Sequence, residues 1–418
     1  MDHFLTLESE AVRHNLINLK QIVFEVTERC NLNCRYCGLA DMYNGNQNRN
    51  TRQLSFRKAR LLIEYLASLW KENHSEGSFQ PVTVSFYGGE PLLNMLFIKN
   101  VISCLEQLPD TGKYFHYGMT TNAMLLDRHM DYLAEKHFHL LISLDGDKAA
   151  HSYRTDHAGN NSFCRVFGNI KRLQEKYPDY FRQLVTFNSV LHNRNNVETT
   201  HRFIMDNFGK APTISPLNNS GILPEKIDEF REMYRNKMDS MTATGNCEAI
   251  ESEVFISAPR IYELAQYIYK QSGNVFSNFN ELLFDFTGMD MFPTGTCTPF
   301  LKKMFITAGG DILQCEKIDH DFVLGHIHDD RVDLDCQAIA DHYNRHVSKC
   351  LGQCANCADS RQCSQCVYNM DDIREENPHC RNFCSRKEVD RKKQKTTDFL
   401  REHPYYYEKI LKEVVIRN

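Results

Sequence analysis

The stretch ERCNLNCRYCG, residues 28–38, places three cysteines within eight residues, at positions 30, 34 and 37. It directly follows QIVFEVT (21–27), an apolar run of β-branched and aromatic residues that predicts a buried strand. Closely spaced thiols in a loop are typical of a metal site rather than of a packed core.

The spacing of the three cysteines is C-x3-C-x2-C. A 4Fe–4S cluster normally takes four cysteine thiolates, so three of them leave one iron without a protein ligand. A small molecule can coordinate such an open iron, as substrates do at open catalytic zinc sites. A three-cysteine zinc site is the alternative interpretation. The missing fourth ligand predicts a cluster that binds a small molecule.

Composition limits the possible functions. The chain has 418 residues, 42% of them hydrophobic, which is enough for two domains, and its net charge of −5 argues against a general nucleic-acid or membrane-surface binder. Uninterrupted apolar stretches fall short of the about 20 residues of a membrane helix, and the polar N-terminus shows no signal peptide. We therefore predict a cytoplasmic protein whose 16 cysteines are thiols or metal ligands rather than disulfides.

From Gln21 to about Pro216, short β-rich runs alternate with helical patterns. The predicted strands begin at residues 21, 82, 114, 139, 184 and 212, and the predicted helices are Ser55–Trp70, Pro91–Leu108, Asp127–Lys136, Ser162–Lys176 and Asn196–Phe208. Six βα units with right-handed crossovers predict an α/β fold whose parallel sheet forms a partial (β/α)6 barrel. In such folds the chemistry gathers in loops at the carboxyl ends of strands, where the cysteine loop also lies.

After Pro216 the alternation ends. Helical patterns cover Glu225–Met241 and Pro259–Lys270, and a cysteine-rich stretch with little periodicity follows, which we expect to need metal to hold it. We predict four segments: 1–216, the partial barrel; 217–294, a helical linker or bridging region; 295–386, a small metal-binding domain; and 387–418, a C-terminal helix. Four isolated cysteines are expected to be buried structural thiols: Cys104, Cys164, Cys247 and Cys336.

The segment CNLNCRYC (30–37) resembles the cluster motif of the radical S-adenosylmethionine (SAM) enzymes and matches its spacing at every cysteine. The resemblance implies that Cys30, Cys34 and Cys37 bind a 4Fe–4S cluster and that the amine and carboxylate of SAM chelate the open iron. One electron from the cluster then cleaves SAM to a 5′-deoxyadenosyl radical. Three further strand-end segments fit this family: GGEP (88–91), TTNA (120–123) and SLDG (143–146).

The resemblance also implies contacts with SAM. Gly88 and Gly89 allow close approach of the backbone, ahead of Pro91 in the first turn of a helix, and the Glu90 carboxylate or nearby carbonyls accept hydrogen bonds from the SAM ammonium. Ser143 contacts the ribose or methionine portion. Asn122 and Asp145 line the SAM or substrate side, unless they only form turns.

Further contacts are implied for the rest of SAM. Arg154 and Arg165 are alternative partners for its carboxylate, because a guanidinium matches carboxylate geometry. Ser189 and Leu191 correspond to ribose and adenine contacts, and Tyr36 could stack near the adenine. No residue is assigned a catalytic role beyond binding.

The C-terminal cysteines resemble the SPASM domain, a C-terminal extension of radical SAM enzymes that carries two auxiliary 4Fe–4S clusters. By that resemblance one auxiliary cluster is bound by Cys354, Cys357, Cys363 and Cys384, and the other by Cys297, Cys315 and Cys366. Cys380 competes with Cys384 for the closing position. This chain departs from the usual pattern in the spacing between Cys363 and Cys366. A zinc ribbon is the alternative, because C-x2-C pairs also bind zinc.

The second auxiliary cluster has only three matched thiolates. Either Cys350 closes it, which we expect, or its fourth iron stays open and can bind a substrate cysteine, which would favour thioether formation.

Enzymes with this domain combination mostly modify peptides and proteins, and residues 143–163 resemble the corresponding region of those members. We therefore expect a maturase that abstracts hydrogen from a ribosomally made peptide to form a thioether or other cross-link. The alternative is an anaerobic sulfatase-maturating enzyme that oxidises Cys or Ser to formylglycine. A third possibility is an electron-transfer or scaffold protein without SAM chemistry.

The expected partners are a peptide or protein substrate, an electron donor such as flavodoxin or ferredoxin, and a separate leader-binding protein, since only 20 residues precede the first strand.

Overall fold

The computed structural model describes residues 6–39, 42–43, 51–73, 79–219, 221–245, 259–271, 297–360, 363 and 365–413. The chain divides into two compact units, one formed by Ser9–Gly245 with Pro299–Ile339, and the other by Met1–Glu8, Asn246–Thr298 and Ala340–Asn418. No helix within the described ranges is long and apolar enough to cross a membrane.

The first unit is an α/β fold built on one sheet. Its elements in chain order are α1 Ser9–Ile17, β1 Gln21–Thr27, α2 Phe56–Glu72, β2 Gln80–Gly88, α3 Met95–Glu106, β3 Lys113–Thr121, α4 Leu126–Glu135, β4 His139–Ser143, α5 Phe163–Lys176, α6 Pro178–Leu184, β5 Val185–Leu191, α7 Val197–Phe208, β6 Thr213–Pro216, α8 Ile227–Met233, α9 Lys237–Thr242, β7 Met304–Ile306, β8 Asp311–Leu313, β9 Gly325–Ile327 and β10 Val332–Asp333. Short 3-10 turns cover Pro91–Asn94, Ala150–Tyr153 and Pro224–Lys226.

The sheet has ten strands in the order β10-β9-β8-β7-β1-β2-β3-β4-β5-β6. Strands β1 to β6 are parallel and lie in sequence order, which confirms the predicted core of six parallel strands alternating with helices. Their carboxyl ends therefore meet at one edge of the sheet, and the loops after β1, β2, β3 and β4 carry the motifs singled out in the sequence.

The predicted helix signals act as expected. The Ser55 hydroxyl accepts a hydrogen bond from the Lys58 backbone N–H at the start of α2, whose buried stripe includes Leu62, Leu66 and Trp70. Asn196 caps α7 in the same way, and Gly209 ends it in the left-handed conformation with a φ of 64°. The predicted helix Glu225–Met241 is instead divided into α8 and α9, because Tyr234 is extended and Asn236 caps the second helix.

Residues 304–333 contribute four strands to the sheet of the first unit, with β7 parallel to β1 and β8 to β10 antiparallel. These residues fall within the segment 295–386, so the compact units of the fold are divided differently from the predicted segments, which remain predictions. Strands of two or three residues are too short to produce a recognisable alternation in sequence.

The prediction that the isolated cysteines are buried is wrong for the three that the structure describes. Cys104 and Cys336 are half-buried and Cys164 is exposed, while Cys247 lies outside the described residues. Cys104 lies beside the apolar stripe of α3 rather than within it, because the buried positions of that helix are Met95, Phe97, Ile98, Val101, Ile102 and Leu105.

The described part of the second unit is mainly helical. It contains α10 Pro259–Gln271, most of α11 Cys336–Ser348, α12 Leu351–Asn356, a 3-10 turn at Val367–Asn369, α13 Arg386–Glu402 and α14 Pro404–Glu413. Ser385 and Glu388 form a capping box at the start of α13. The predicted helix in the tail from Lys387 is thus present as two consecutive helices.

Candidate functional site

The loop with Cys30, Cys34 and Cys37 leaves the carboxyl end of β1 and is held by neighbouring loops. The backbone N–H groups of Asn33 and Arg35 donate to the carbonyls of Thr155 (2.7 Å) and Tyr153 (3.1 Å). The Sγ of Cys30 accepts a hydrogen bond from the Leu32 N–H at 3.4 Å. The three cysteine residues are partly exposed, and the loop that carries them is ordered by these hydrogen bonds.

The three thiols lie close enough to influence one another. Burial raises the pKa of Cys30 and of Cys34 to about 12, and nearby thiols contribute to both shifts. Binding of iron would therefore have to displace the thiol protons, as metal binding to cysteine generally does. Three adjacent sulfur donors in one loop fit a 4Fe–4S cluster with one iron left open.

The glycines of the GGEP segment fit against this loop. Gly88 has a φ of 123°, and a Cβ on it would overlap the Thr27 carbonyl oxygen; a Cβ on Gly89 would overlap the Arg29 carbonyl oxygen. The N–H groups of Gly89 and Glu90 donate to these two carbonyls, at 2.8 Å and 2.9 Å. The glycines are therefore required where β2 ends against the carbonyls of Thr27 and Arg29, and their predicted role at the SAM site stays a prediction.

Glu90 is 1% exposed, and neighbouring donors occupy its carboxylate. It accepts hydrogen bonds from the Thr121 hydroxyl (2.7 Å) and from the N–H groups of Asn122 (2.8 Å) and Leu92 (3.1 Å). Burial raises the pKa of Glu90 to about 7, although these hydrogen bonds lower it. Glu90 therefore links the ends of β2 and β3, and its predicted contact with the SAM ammonium stays a prediction. Pro91 begins the 3-10 turn that follows.

Asn122, in the TTNA segment, contacts the first cysteine. Its side-chain N–H donates to Asn31 Oδ1 at 2.7 Å and to Cys30 Sγ at 3.6 Å, and its oxygen accepts from the Met124 N–H at 3.0 Å. Its side chain thus serves both as a turn former and as a support for the cysteine loop.

Asp145 and Arg154 form a buried ion pair at the end of β4. The Arg154 Nε and Nη2 atoms donate to the two carboxylate oxygens of Asp145 at 2.9 Å and 3.1 Å. Burial alone would raise the pKa of Asp145, but the Arg154 guanidinium holds it well below its usual range. Because its guanidinium already binds a carboxylate of the protein, Arg154 fits the predicted contact with the SAM carboxylate poorly.

Tyr36, inside the cysteine motif, joins this ion pair. Its hydroxyl donates to Asp145, and burial raises its pKa well above the usual value. His192 stacks on the Tyr36 ring with centroids 5.4 Å apart, and the Arg154 guanidinium lies 5.4 Å from the ring centre. The ring is 5% exposed, so adenine could not stack on it without displacing these neighbours.

The remaining predicted contacts differ in accessibility. Arg165 is half-exposed on α5, donates to the Met124 carbonyl at 2.8 Å and lies 3.5 Å from Asp127, so it keeps access to solvent at the end of β3. Ser143 is partly exposed at the end of β4 and is paired with Asn188 of β5. Side chains of paired residues share a face of the sheet.

Ser189 and Leu191 lie on the opposite face of β5. Both are fully buried, together with Phe187, which packs on Phe181 and Phe208 of the flanking helices. The Ser189 hydroxyl donates to the Leu144 carbonyl at 2.5 Å. Because successive side chains of a strand point to opposite faces, Ser189 and Leu191 point away from the face of Ser143 and Asn188, and their assignment as SAM contacts stays a prediction. Asn188 and Val190, which are partly exposed, are the better candidates on this strand.

Two buried histidines of this region were missed by the sequence reasoning. His192 is fully buried beside Asp145, with its Nε2 3.8 Å from the carboxylate. His151 is also fully buried, faces Ser162 and the Asp145 backbone N–H, and burial lowers its pKa to about 4. Isolated histidines in loops carry no recognisable spacing, so no sequence signal identified them.

In the second unit, five cysteines line one cavity of about 570 Å³. They are Cys354, Cys357, Cys363, Cys380 and Cys384. Burial raises the pKa of Cys354 to about 12, with smaller contributions from the neighbouring thiols Cys350, Cys363, Cys380 and Cys357. The Sγ of Cys384 accepts a hydrogen bond from Lys392 Nζ at 3.2 Å, and its N–H donates to Cys357 Sγ at 3.4 Å. The cavity and its sulfur donors fit the predicted cluster, and the choice between Cys380 and Cys384 stays open.

The other predicted auxiliary ligands belong to both compact units. Burial raises the pKa of Cys366, and the nearby Cys297 thiol adds to this, whereas Cys315 belongs to the first unit. Cys350 is fully buried, with its Sγ 3.2 Å from Met370 Sδ, and the thiol that affects its pKa is that of Cys380. These positions give no support to closure of the second auxiliary cluster by Cys350, which stays a prediction.

Within the described residues, no three His, Cys, Asp or Glu side chains converge on one point as they would around a single metal ion. The cluster assignments therefore rest on the cysteine spacing, the loop and the cavity.

Comparison with known proteins agrees with this geometry. Residues 24–206 match the family model described as the radical SAM superfamily. A cysteine-type anaerobic sulfatase-maturating enzyme from Clostridium novyi (strain NT) is 28% identical over 166 residues, which are 39% of this chain and 42% of that protein. The radical SAM cyclopropyl synthase TigE from Paramaledivibacter caminithermalis is 25% identical over 180 residues, which are 41% of this chain and 35% of that protein. The chain thus spans less than half the length of these curated relatives.

A solved structure described as native anSMEcpe with bound AdoMet has a similar fold, with a TM-score of 0.62 and 16% identity, covering 95% of this chain and 100% of that one. At this identity the likeness concerns the fold alone. Residues 24–206 therefore match the radical SAM family model, within a fold that resembles that solved structure over most of its length.

Proposed function

We propose that this protein is a radical SAM enzyme that abstracts hydrogen from a peptide or protein substrate. The observation that carries the proposal is the cysteine loop at the carboxyl end of β1, whose three partly exposed thiols are supported by the glycines of GGEP and by Asn122. When bound, the cluster would supply the electron that cleaves SAM into methionine and a 5′-deoxyadenosyl radical, which takes a hydrogen atom from the substrate.

The residues of the chain would divide the remaining tasks. Cys30, Cys34 and Cys37 would hold the cluster and leave one iron to SAM. Ser143 and Asn188, paired on one face of β4 and β5, would contact the bound SAM or substrate from the strand ends, and Arg165 would be the better of the two arginine candidates for the SAM carboxylate. The cysteine-lined cavity of the second unit would hold an auxiliary cluster, as proposed for a SPASM domain.

A peptide or protein substrate is proposed from the relatives, which include a sulfatase-maturating enzyme. Within this class we favour a maturase that cross-links a ribosomally made peptide, with an electron carrier such as flavodoxin as donor and a separate leader-binding protein. Formation of formylglycine in a sulfatase is the second candidate, supported by the similarity to the Clostridium novyi enzyme.

The first experiment tests for SAM cleavage. Anaerobically reconstituted protein with dithionite should release 5′-deoxyadenosine, and the Cys34→Ala variant should release none. Cys164→Ala, which removes an exposed thiol outside the site, is the matched control and should behave as the wild type. Equal release by Cys34→Ala and the control would contradict the proposal.

The second experiment separates the two substrates. Small peptides encoded beside the gene and a sulfatase peptide with the target Cys or Ser are incubated in parallel and examined by mass spectrometry. A cross-link appears as loss of two hydrogen atoms from the gene-encoded peptide, whereas formylglycine appears as an aldehyde that reacts with a hydrazide. Modification of the sulfatase peptide alone would replace the favoured assignment with the second.

A further inference from the structure

The Asp145–Arg154 ion pair is held in place by further hydrogen bonds. Both side chains are buried, and the Asp145 carboxylate also accepts a hydrogen bond from the Val190 N–H at 2.9 Å. The Asp145 carbonyl in turn accepts from Asn195 Nδ2 at 3.1 Å and from the Thr200 hydroxyl at 3.2 Å. Asp145 is therefore fixed on both its backbone and its side chain.

Buried ion pairs add little net stability, because removing two charges from water offsets most of their attraction. Such a pair does fix the orientation of its two side chains, because a bidentate guanidinium–carboxylate contact has one favourable geometry. At this place in the fold the orientation matters because the pair is bonded to Tyr36, which lies between Cys34 and Cys37 in the chain.

Tyr36 connects the pair to the cysteine loop. It lies between Cys34 and Cys37 in the chain, and its hydroxyl donates to the Asp145 carboxylate. On the backbone, the Arg35 N–H donates to the carbonyl of Tyr153, the residue before Arg154. The middle of the loop is thus tied to the end of β4 by one side-chain bond and one main-chain bond.

We propose that Asp145, Arg154 and Tyr36 are positioning residues that fix the part of the loop with Cys34 and Cys37, the residues that would hold the cluster to which SAM binds. The proposal rests on the proposed function, since it assumes a SAM-binding cluster in this loop. In this arrangement the Tyr36 hydroxyl holds the loop to Asp145. Arg154 orients Asp145 and does not bind the SAM carboxylate.

The test is Tyr36→Phe, which removes one hydroxyl and keeps the ring packed. Tyr43→Phe is the matched control, because Tyr43 belongs to the same buried apolar cluster but its hydroxyl donates to the Asn218 carbonyl. Both variants are reconstituted anaerobically, their iron and sulfide are counted, and SAM binding and the EPR spectrum of the reduced cluster are measured with and without SAM.

Tyr36→Phe should keep its iron but bind SAM about tenfold more weakly, the effect of losing one hydrogen bond to a charged group, and its spectrum should change less on addition of SAM. Arg154→Lys, which keeps the charge but loses the bidentate contact, should show the same change. Tyr43→Phe should match the wild type.

Wild-type affinity and an unchanged SAM-induced spectrum in Tyr36→Phe would overturn the proposal. So would equal losses in Tyr36→Phe and Tyr43→Phe, because the effect would then be one of general packing. Failure of the proposed function is seen separately: wild-type protein would then hold no cluster in this loop or show no spectral response to SAM.

Discussion

Gly89 lies directly against the backbone carbonyl of Arg29, the residue before the first cysteine of the loop. The same carbonyl accepts a hydrogen bond from the Glu90 N–H, so the end of β2 and the start of the cysteine loop run side by side. A side chain at position 89 would have to push Arg29, and with it Cys30, away from the sheet.

We therefore expect Gly89→Ala to displace the loop, lower the iron content after reconstitution and cost about 1–3 kcal/mol of stability, the usual effect of overpacking. Iron analysis and thermal unfolding measure the two effects. Gly168→Ala is the control: Gly168 is interior to α5 with open space around its Cα, so alanine there should be neutral or stabilising by up to about 1 kcal/mol. An unchanged iron content in Gly89→Ala would contradict the prediction.

The second prediction concerns Glu90 and pH. Because the folded protein raises the pKa of Glu90 from 4.5 to about 7, the folded state binds more protons than the unfolded state between these values. The contribution of Glu90 to the free energy of unfolding should therefore fall as pH rises from 4.5 to 7, by up to about 3 kcal/mol. The Glu90→Gln variant lacks this contribution. The free energy of unfolding of the wild type minus that of the variant, measured by urea unfolding, should therefore decrease as pH rises from 4.5 to 7.

The third prediction concerns His151, whose effect has the opposite sign. The folded protein lowers its pKa from 6.5 to about 4, so the unfolded state binds more protons between these values and stability is lost as pH falls below 6.5. We expect a loss of up to about 3 kcal/mol at pH 4 from this group, and His151→Gln should remove it.

Because the contributions of Glu90 and His151 have opposite slopes over overlapping windows, they partly cancel in the wild type. The two variants are therefore each other's controls. The unfolding free energy of Glu90→Gln should rise with pH more steeply than that of the wild type, and that of His151→Gln less steeply. Parallel pH profiles for all three proteins would refute both assignments.

The cysteine loop and the strand-end segments could be predicted from sequence because their residues are close together in the chain. C-x3-C-x2-C and GGEP each lie within one loop, and the loops meet because all six strands are parallel. The partner of an arginine is different: nothing in the sequence distinguishes a guanidinium that binds a ligand from one that binds Asp145, nine residues away.

The sequence also does not show which side chains of β5 share a face with Ser143. A shift of one residue moves a side chain from one face of a strand to the other, and the sequence VTFNSVL alternates without a clear polar face. Only the packing of Phe187 against the flanking helices shows that Ser189 and Leu191 point away from Ser143.

The last prediction concerns which thiol completes the cluster in the cysteine-lined cavity. Cys384 is 6% exposed and directly precedes Ser385, the N-cap of the 17-residue helix α13, whereas Cys380 is only half-buried. The Lys392 ammonium donates a hydrogen bond to the Cys384 sulfur, and the Cys384 N–H donates to Cys357 Sγ, so Cys384 is tied to another thiol of the cavity.

We therefore expect Cys384→Ala to lose about four iron atoms per chain relative to wild type, the content of one 4Fe–4S cluster, while Cys380→Ala keeps them. Cys164→Ala, which removes an exposed thiol, is the control, and Cys350→Ala is measured beside it because Cys350 is buried but does not line the cavity. Anaerobic reconstitution, iron and sulfide analysis and EPR of the reduced protein measure the outcome.

Iron loss in Cys380→Ala with full content in Cys384→Ala would assign the ligand to Cys380, since alanine removes the thiol without adding volume. Iron loss in Cys350→Ala with the spectrum of this cluster intact would instead show that Cys350 closes the second auxiliary cluster.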